Sequence, residues 1–371
     1  MHSPGALRVL WGKRTGVASG ALGVLCVLGT LCFLLPDLLV LPDALPFYEA
    51  NLGLFRGLLW AAIFATFALG AASLLLLRSR AHGVLGIGLG VVALLMGGGN
   101  AQPVEVGPAP VSAGLDYLVL ELLLLGLLFI PLERMFALRS QRIFRAGWQT
   151  DLKHFFVSHA GVQILSFAAM VPAQLAFAAL VSLDFQRVVA AQPLWLQVLE
   201  VALTVDFMGY WVHRAFHRFP LLWNFHAIHH STLQMDWLAA SRIHVVDAFT
   251  TRAAGFIPVF VLGFAPAAVY AYIAVVSIHA VYIHSNIRWR WPVLRWVVAT
   301  PEYHHWHHTS DEEGIDRNFA TVLPLLDVVF GTAHQPGYWP RKYGTVRFQP
   351  PEGWVGQLIY PFRRRVYTPY G

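Results

Sequence analysis

The sequence predicts an all-α protein, built as a multi-pass transmembrane helical bundle with a cytoplasmic, histidine-rich helical cap. Of its 371 residues, 57% are apolar and only 12% are charged, whereas soluble domains average about 45–50% and about 25%. The mean hydropathy is +0.56, and 17 histidines nearly equal the 20 acidic residues in number. So much apolar surface has to be buried in lipid, which excludes an ordinary soluble protein and a disordered one.

The membrane spans are predicted from long stretches with little or no charge, since one span takes about 20 apolar residues. These stretches are 16–35, 57–77, 83–99, 117–132, 155–183, 195–212 and 253–283. The last is too long for one upright helix, and Gly263 and Pro266 inside it favour a helical hairpin. Re-entrant segments at 155–183 and 253–283 are also compatible with the sequence, so the number of crossings stays open.

A loop of Gly, Pro and Asn at 98–110 indicates a domain boundary. We therefore expect an N-terminal segment of about three spans at 1–110, to which the sequence assigns no function. A larger domain at 111–335 and a basic cytoplasmic tail at 336–371 follow. Cys26 and Cys32 both lie in the first apolar stretch, so they provide neither a disulfide framework nor a cysteine metal site.

The net charge of +6 reflects topology more than nucleic-acid binding, because no binding motif accompanies it. Lys and Arg are absent from 36–52 and 100–114 and frequent in 134–153 and after 283. By the positive-inside rule this places both termini and the histidine clusters in the cytoplasm, in a bacterial inner membrane or an endoplasmic reticulum. One group of arginines is suited equally to lipid phosphates or to an acidic redox carrier: Arg288, Arg290, Arg295, Arg363, Arg364 and Arg365.

Histidines recur at helical spacing in three motifs, each at the end of an apolar stretch. The motifs are His213-xxx-His217, His226-xx-His229-His230 and His304-xx-His307-His308. Residues three or four apart share a helix face, so each motif predicts converging imidazoles. Eight imidazoles exceed the needs of one metal ion, and two ions with four or five nitrogen ligands each would use them. Imidazole suits Fe, Zn, Cu and Ni.

Other histidines carry weaker predictions. His284 is the best ninth ligand, whereas His244, His279 and His305 are as well explained by packing or by rings that point away. His2, His82, His159 and His334 are interpreted as ordinary interfacial polar residues. Two competing classes remain open at this stage: a carrier that binds zinc or another divalent ion, and a membrane cytochrome, although haem needs only one or two axial histidines.

The order and surroundings of these motifs resemble the fatty acid hydroxylase/sterol desaturase superfamily, in detail its sterol-desaturase-like and alkylglycerol-monooxygenase-like branch. The resemblance covers about 115–335. Its supporting segments are Gly147–Asp151, Asp206–Arg214, His284–Arg288, Thr300–His304, Asn318-Phe319, Asp327 and Phe330–Thr332. Residues 1–110 and the proline-free segment 242–247 depart from the pattern.

The resemblance implies an oxidoreductase with a non-haem di-iron centre that uses O₂ to hydroxylate or desaturate an unactivated C–H bond of a lipid. Sterol, fatty acyl, ether-lipid and related substrates all stay open. Zinc is expected to replace iron readily during purification. The implied ligands are His213, His217, His226, His229, His230, His284, His304, His307 and His308. Asp206, Asn318 and Asp327 would lie behind them as hydrogen-bond partners or as structural residues.

The partners that follow are a membrane lipid as substrate and a separate electron donor of the ferredoxin, cytochrome or reductase type. No haem-binding or flavin domain is recognisable in the sequence, so the electrons have to come from another protein. No nucleic acid is expected as a partner.

Overall fold

The computed structural model describes residues 4–42, 45–76, 81–104, 114–158, 175–346 and 348–363. Within these ranges the regular structure is helical, and the only β-type pairings are two isolated bridges, Ala137–Ile287 and Thr309–Tyr343. The predicted all-α class is therefore confirmed. Most of the predicted span 155–183, together with His2, His159, Arg364 and Arg365, lies outside the described residues.

The helices are numbered here in chain order. They are α1 (Pro4–Leu34), α2 (Pro36–Leu39), α3 (Leu45–Ala50), α4 (Leu52–Leu76), α5 (Ala81–Leu95), α6 (Leu115–Met135), α7 (Leu183–Ala190), α8 (Leu194–Arg218), α9 (Pro220–His226), α10 (Val245–Leu262), α11 (Pro266–His284), α12 (Pro301–His307), α13 (Leu325–Val329) and α14 (Trp354–Ile359). A further helical stretch, 148–158, runs up to the edge of a described range.

Among the described residues, six helices are long and apolar enough to cross a membrane, which makes this a multi-pass membrane protein. They are Trp11–Leu34, Leu52–Leu76, Ala81–Asn100, Leu115–Met135, Val245–Leu262 and Pro266–His284. Helices α7 and α8 pass the same test only as a pair bent by 119°. Every predicted apolar stretch that the structure describes in full thus coincides with a long helix or with a helical pair.

The chain divides into two compact units, Met1–Glu121 and Leu122–Gly371. In the first unit α1, α4 and α5 pack together around Cys26, Leu59 and Ile63. The Ser19 hydroxyl donates to the Thr66 carbonyl oxygen at 2.7 Å across this helix interface. Small and hydroxyl-bearing residues thus allow close helix packing where lipid provides no hydrophobic driving force.

In the second unit the apolar stretch 253–283 is the predicted hairpin. Helix α10 ends at Gly263, whose φ of +77° is left-handed, and α11 begins at Pro266. Glycine adopts that backbone conformation without the penalty that a Cβ atom brings. The Gln186 side chain donates to the carbonyl oxygens of Phe260 and Val261, both at 3.0 Å, and so satisfies the exposed end of α10.

Helix α8 is the central element of the second unit. Its Val201 packs against Val259 of α10 and Tyr272 of α11 in a shared apolar core. Its C-terminal half carries Asp206, Tyr210 and the first histidine motif on its buried side. The packing therefore brings one end of α8 beside the elements that carry the other histidines.

Candidate metal centre

Nine histidines form two compact groups of ring nitrogens. One group holds His213, His217, His226, His230 and His307, and the other holds His229, His284, His304 and His308. Within each group the candidate ligand atoms lie within 4.8 Å of one another. All nine side chains are buried. These are the nine residues that the sequence singled out, and we call the two sets the five-His group and the four-His group.

The groups do not follow the motifs, because every HxxHH motif contributes to both. In the third motif His304 and His308 lie in the four-His group, whereas His307 lies in the five-His group. In the second, His226 and His230 belong together and His229 to the other group. In each HxxHH motif the first and last histidines, four residues apart, thus belong to the same group. The middle histidine belongs to the other group.

Local sequence fixes where each motif sits. The first motif ends α8, and Pro220, at the first position of α9, starts the next helix at once. His226 is the last residue of α9, and His229 and His230 lie in a short 3₁₀ turn. The expectation that the second motif forms one continuous helical face is therefore wrong. The third motif lies on α12, whose N-cap, Thr300, accepts a hydrogen bond from the backbone N–H of Tyr303.

Most of the rings are oriented through Nδ1. The Nδ1 of His213 lies 2.7 Å from the Phe319 carbonyl oxygen, and that of His307 lies 2.8 Å from the Arg317 carbonyl oxygen. In the four-His group, Nδ1 of His229 faces the Arg242 carbonyl oxygen at 3.0 Å. Carbonyl oxygens only accept, so each of these Nδ1 atoms carries the proton and donates. The Nε2 atom is then left with a lone pair in the neutral ring.

Two further rings donate through Nδ1 to carboxylates rather than to carbonyls. The Nδ1 of His226 lies 2.7 Å from Oδ2 of Asp247, and that of His217 lies 3.0 Å from Oδ1 of Asp316. Sequence reasoning missed both acids. Asp247 lies inside 242–247, a segment that departs from the family pattern because it lacks a proline. Asp316 lies 99 residues after His217, the histidine that it contacts.

The Nε2 atoms that carry these lone pairs lie close to one another, and this arrangement shows whether the groups fit a metal ion. His213 and His226 both donate through Nδ1, yet their Nε2 atoms are 2.9 Å apart. His229 and His284 both donate to carbonyl oxygens, and their Nε2 atoms are 3.2 Å apart. Two unprotonated nitrogens at this distance repel each other unless a cation lies between them. Metal ions bind imidazole nitrogen at about 2.0–2.1 Å, so one ion could bind both nitrogens of such a pair, and both groups fit a metal ion.

Burial keeps the rings in the form that binds metal. Desolvation lowers the pKa of His229 and holds the pKa of His226, His230, His304, His307 and His308 well below the usual value. For most of these rings the neighbouring imidazoles lower the pKa further, because a second positive charge is unfavourable nearby. Neutral imidazole is the form that binds transition metals. Nε2 of His217 and of His307 is buried and has no hydrogen-bond partner among the residues that the structure describes, which again suits a metal ligand.

The three predicted partners of the ligands hold one loop, 318–323, instead of binding imidazoles themselves. Asp206 accepts hydrogen bonds from the backbone N–H groups of Thr321, Val322 and Leu323 at 2.6–3.0 Å. Asp206 lies two helical turns before His213, and the sequence left two roles open for it, an acceptor for an imidazole or a structural residue. The loop occupies that position, and its Phe319 carbonyl oxygen accepts from His213 instead.

Asp327 and Asn318 brace the same loop from its other side. Asp327 accepts from the backbone N–H groups of Phe319 and Ala320, both at 2.8 Å, and from the hydroxyl of Tyr303. Asn318, with a left-handed φ of +60°, donates from its side-chain amide to the Tyr303 carbonyl oxygen at 2.9 Å. These contacts position the backbone carbonyl that orients His213.

Three histidines whose ligand role was doubtful, His244, His279 and His305, lie outside both groups. His305 is fully buried and uses both ring nitrogens, with Tyr343 Oη at 2.8 Å and the Ser285 carbonyl oxygen at 3.1 Å. His244 is the N-cap of α10 and accepts from the backbone N–H of Val246. His279 Nε2 lies 2.9 Å from the Ala299 carbonyl oxygen. In all three residues these ring nitrogens form hydrogen bonds within the protein and do not point at either histidine group.

A buried ion-pair network supports the turn that carries His229 and His230. Arg145 contacts Asp151 and Asp236, each at 2.7 Å, and Arg242 contacts Asp151. The side chains of these four residues are at most 8% exposed. The Arg242 guanidinium also donates to the Ser231 hydroxyl at 3.2 Å. The network thereby ties the segment 145–151 to the turn of the second motif.

A narrow cleft borders the five-His group. It is lined by His217, His230, His307, Thr309, Asp316 and Thr345, among others, and has a volume of about 20 Å³. The cleft therefore has room for about one water molecule beside the five-His group.

Comparison with known proteins agrees with the geometry. The family model "Fatty acid hydroxylase" matches residues 198–332, the segment that contains all nine histidines. Ornithine lipid hydroxylase OlsE of Rhizobium tropici is 29% identical over 243 residues, which are 64% of this chain and 71% of that protein. No solved structure matches the chain significantly.

Two other relatives match a shorter segment. Human alkylglycerol monooxygenase is 33% identical over 131 residues, which are 35% of this chain and 29% of that protein. Methylsterol monooxygenase 1-2 of Arabidopsis thaliana is 28% identical over 138 residues, 37% of this chain and 46% of that protein. With its helical membrane architecture, its matched domain and its paired histidine groups, this chain is similar to members of the fatty acid hydroxylase/sterol desaturase superfamily, and the relatives that share this likeness are named as hydroxylases and monooxygenases.

Proposed function

We propose that this chain is a membrane-bound, O₂-dependent lipid hydroxylase or desaturase in which the nine histidines hold two iron ions. The observation that carries the proposal is the convergence of unprotonated Nε2 atoms in two adjoining groups within the matched domain. Iron bound there would supply the redox chemistry that breaks an unactivated C–H bond, which no side chain provides.

The protein's own contribution is orientation and exclusion of water. The carbonyl oxygens of Phe319, Arg317 and Arg242 and the carboxylates of Asp247 and Asp316 fix five rings through Nδ1. Locked rings leave little reorganisation to be made when a metal ion binds. Burial of all nine side chains excludes bulk water, which protects a reactive oxidising centre from side reactions.

The substrate is proposed to be a membrane lipid that approaches from the bilayer. Among the relatives are a hydroxylase of ornithine lipids and monooxygenases of alkylglycerols and methylsterols, so a polar-headed, ether-linked or sterol substrate fits equally. Inserting one oxygen atom and reducing the other to water takes two electrons from outside the chain. A separate donor of the ferredoxin, cytochrome or reductase type is proposed to supply them.

We propose the remaining organisation from the sequence pattern. Residues 111–335 form the catalytic domain, 1–110 an added membrane segment, and 336–371 a basic tail. The positive-inside distribution of Arg and Lys places both termini and the histidine groups on the cytoplasmic side. Cysteine labelling from either side of the membrane, at positions introduced in the tail, tests this orientation.

The function is tested by comparing the lipids of cells that carry the chain with those of cells that lack it. A species heavier by one oxygen atom, or lighter by two hydrogen atoms, is expected only with the intact chain. His229→Ala should abolish it at normal expression, while His82→Ala, an exposed residue on α5, should not. Identical lipid profiles, together with reproducible zinc and no O₂ uptake, would instead support a membrane zinc-binding or transport protein.

A further inference from the structure

The two histidine groups differ in what lies behind their rings. In the five-His group, His226 donates to Asp247 and His217 donates to Asp316. In the four-His group, His229 and His284 donate to backbone carbonyl oxygens. Nδ1 of His304 and of His308 is buried and has no hydrogen-bond partner in the described part of the chain. Both carboxylates that contact the nine rings therefore serve one group.

Asp247 hydrogen-bonds directly to a ring of the five-His group, and its charge also acts on His229 of the four-His group. It is 2% exposed and lies in the first turn of α10, where the helix dipole favours a negative charge. Oδ2 accepts from His226 at 2.7 Å, and Oδ1 accepts from the Thr251 hydroxyl at 3.3 Å. His226 is also the ring whose Nε2 lies beside two others of its group, 2.9 Å from that of His213 and 3.2 Å from that of His230.

A carboxylate behind an imidazole raises the basicity of the ligand nitrogen and adds a negative charge near the metal cation. A backbone carbonyl orients the ring without adding a full charge. The five-His group also offers one more nitrogen than its neighbour. The two sites should then be chemically unequal, although both are built from imidazole alone.

We propose that the five-His group is the higher-affinity, more electron-rich metal site, and that Asp247 is the positioning residue that makes it so. The proposal rests on the proposed function only in taking the two groups as metal sites. Asp316 acts in the same direction but more weakly, because its side chain is 23% exposed and solvent screens its charge. The four-His group is the site that fills last and empties first.

The test measures metal affinity and not activity. The full chain in detergent is loaded with Fe²⁺ without oxygen and dialysed against graded concentrations of a chelator, and iron per chain is then counted. The intact chain should lose its two irons in separate steps. His284→Ala, which damages the four-His group, should remove the step at low chelator and keep the step at high chelator.

Asp247→Asn keeps the size of the side chain and removes its charge. It should move the high-chelator step to about 10–100-fold lower concentration and move the low-chelator step by a smaller factor. Asp184→Asn, an exposed residue paired with Arg187, is the matched control and should change neither step. Asp316→Asn should move the same step by a smaller factor, and it provides the test if Asp247→Asn does not fold.

Three results would overturn the proposal. The first is unchanged iron release from a folded Asp247→Asn chain, and the second is a shift of the low-chelator step alone in that variant. The third is a His284→Ala chain that retains only the low-chelator step. If Asp247→Asn does not fold, unchanged release from Asp316→Asn also overturns it. A chain that binds no iron at all defeats the proposed function. A chain that oxidises lipid normally but releases both irons in one step defeats only the present inference.

Discussion

Replacing Asp327 by Asn should loosen the loop that orients His213. Asp327 is fully buried and accepts four hydrogen bonds, from the backbone N–H groups of Phe319 and Ala320 and from the hydroxyls of Tyr303 and Thr332. One carboxylate oxygen faces each backbone N–H. An amide nitrogen at either place opposes an N–H donor, so one buried backbone donor loses its acceptor.

The expected cost follows from that count. An unsatisfied buried donor costs about 1–3 kcal/mol, and a hydrogen bond to a charged group contributes about 1.5–3 kcal/mol. We therefore expect Asp327→Asn to lower the free energy of unfolding by about 2–4 kcal/mol. Tyr303→Phe removes one donor and leaves both backbone N–H groups satisfied, so it should cost clearly less.

Thermal unfolding in detergent, followed by tryptophan fluorescence, measures both variants. The melting temperature of Asp327→Asn should fall by at least about 4 °C, and iron held by the five-His group should be released at lower chelator concentration. The reasoning is refuted if Tyr303→Phe is as damaging as Asp327→Asn, or if Asp327→Asn melts like the intact chain.

Three further predictions separate roles within the site. His304→Ala should lose about one metal ion per chain. His305→Ala should keep both ions but melt at a lower temperature, because it loses the hydrogen bonds of His305 to Tyr343 and Ser285. Metal analysis and thermal unfolding of the two variants test this. Gly263→Ala should destabilise the hairpin by at least about 1–2 kcal/mol, since a Cβ there would lie 2.3 Å from the Gln186 side chain; Gly209→Ala, with open space around it, is the control. Removing metal with a chelator should lower the melting temperature of the intact chain, because bound ions stabilise the folded state; an unchanged melting temperature would argue against tight metal binding.

The sequence was informative about elements and ligand types because both depend on local pattern. Apolar stretches of about 20 residues predicted the spans, and Gly263 with Pro266 predicted the break between α10 and α11. Histidine spacing selected eight of the nine residues that the fold brings together, and His284 was expected as the ninth. These features need only a window of a few helical turns.

What the sequence could not provide depends on contacts between distant segments. His229 joins His284, 55 residues away, and not its neighbour His230. The acid behind His226 is Asp247, and Asp206 bonds the loop at 321–323 instead of a ring. Such pairings follow from the packing of α8 with α9, α10 and α11, which no single motif encodes.

The central claim is that two nitrogen-rich sites in this chain hold iron. X-ray absorption at the iron edge, on chain loaded without oxygen, tests it most directly. We predict about two irons per chain, four to five nitrogen neighbours per iron at about 2.1 Å with the scattering pattern of imidazole, and no Soret band in the optical spectrum. Sulfur neighbours, a single iron per chain or a haem spectrum would contradict the account.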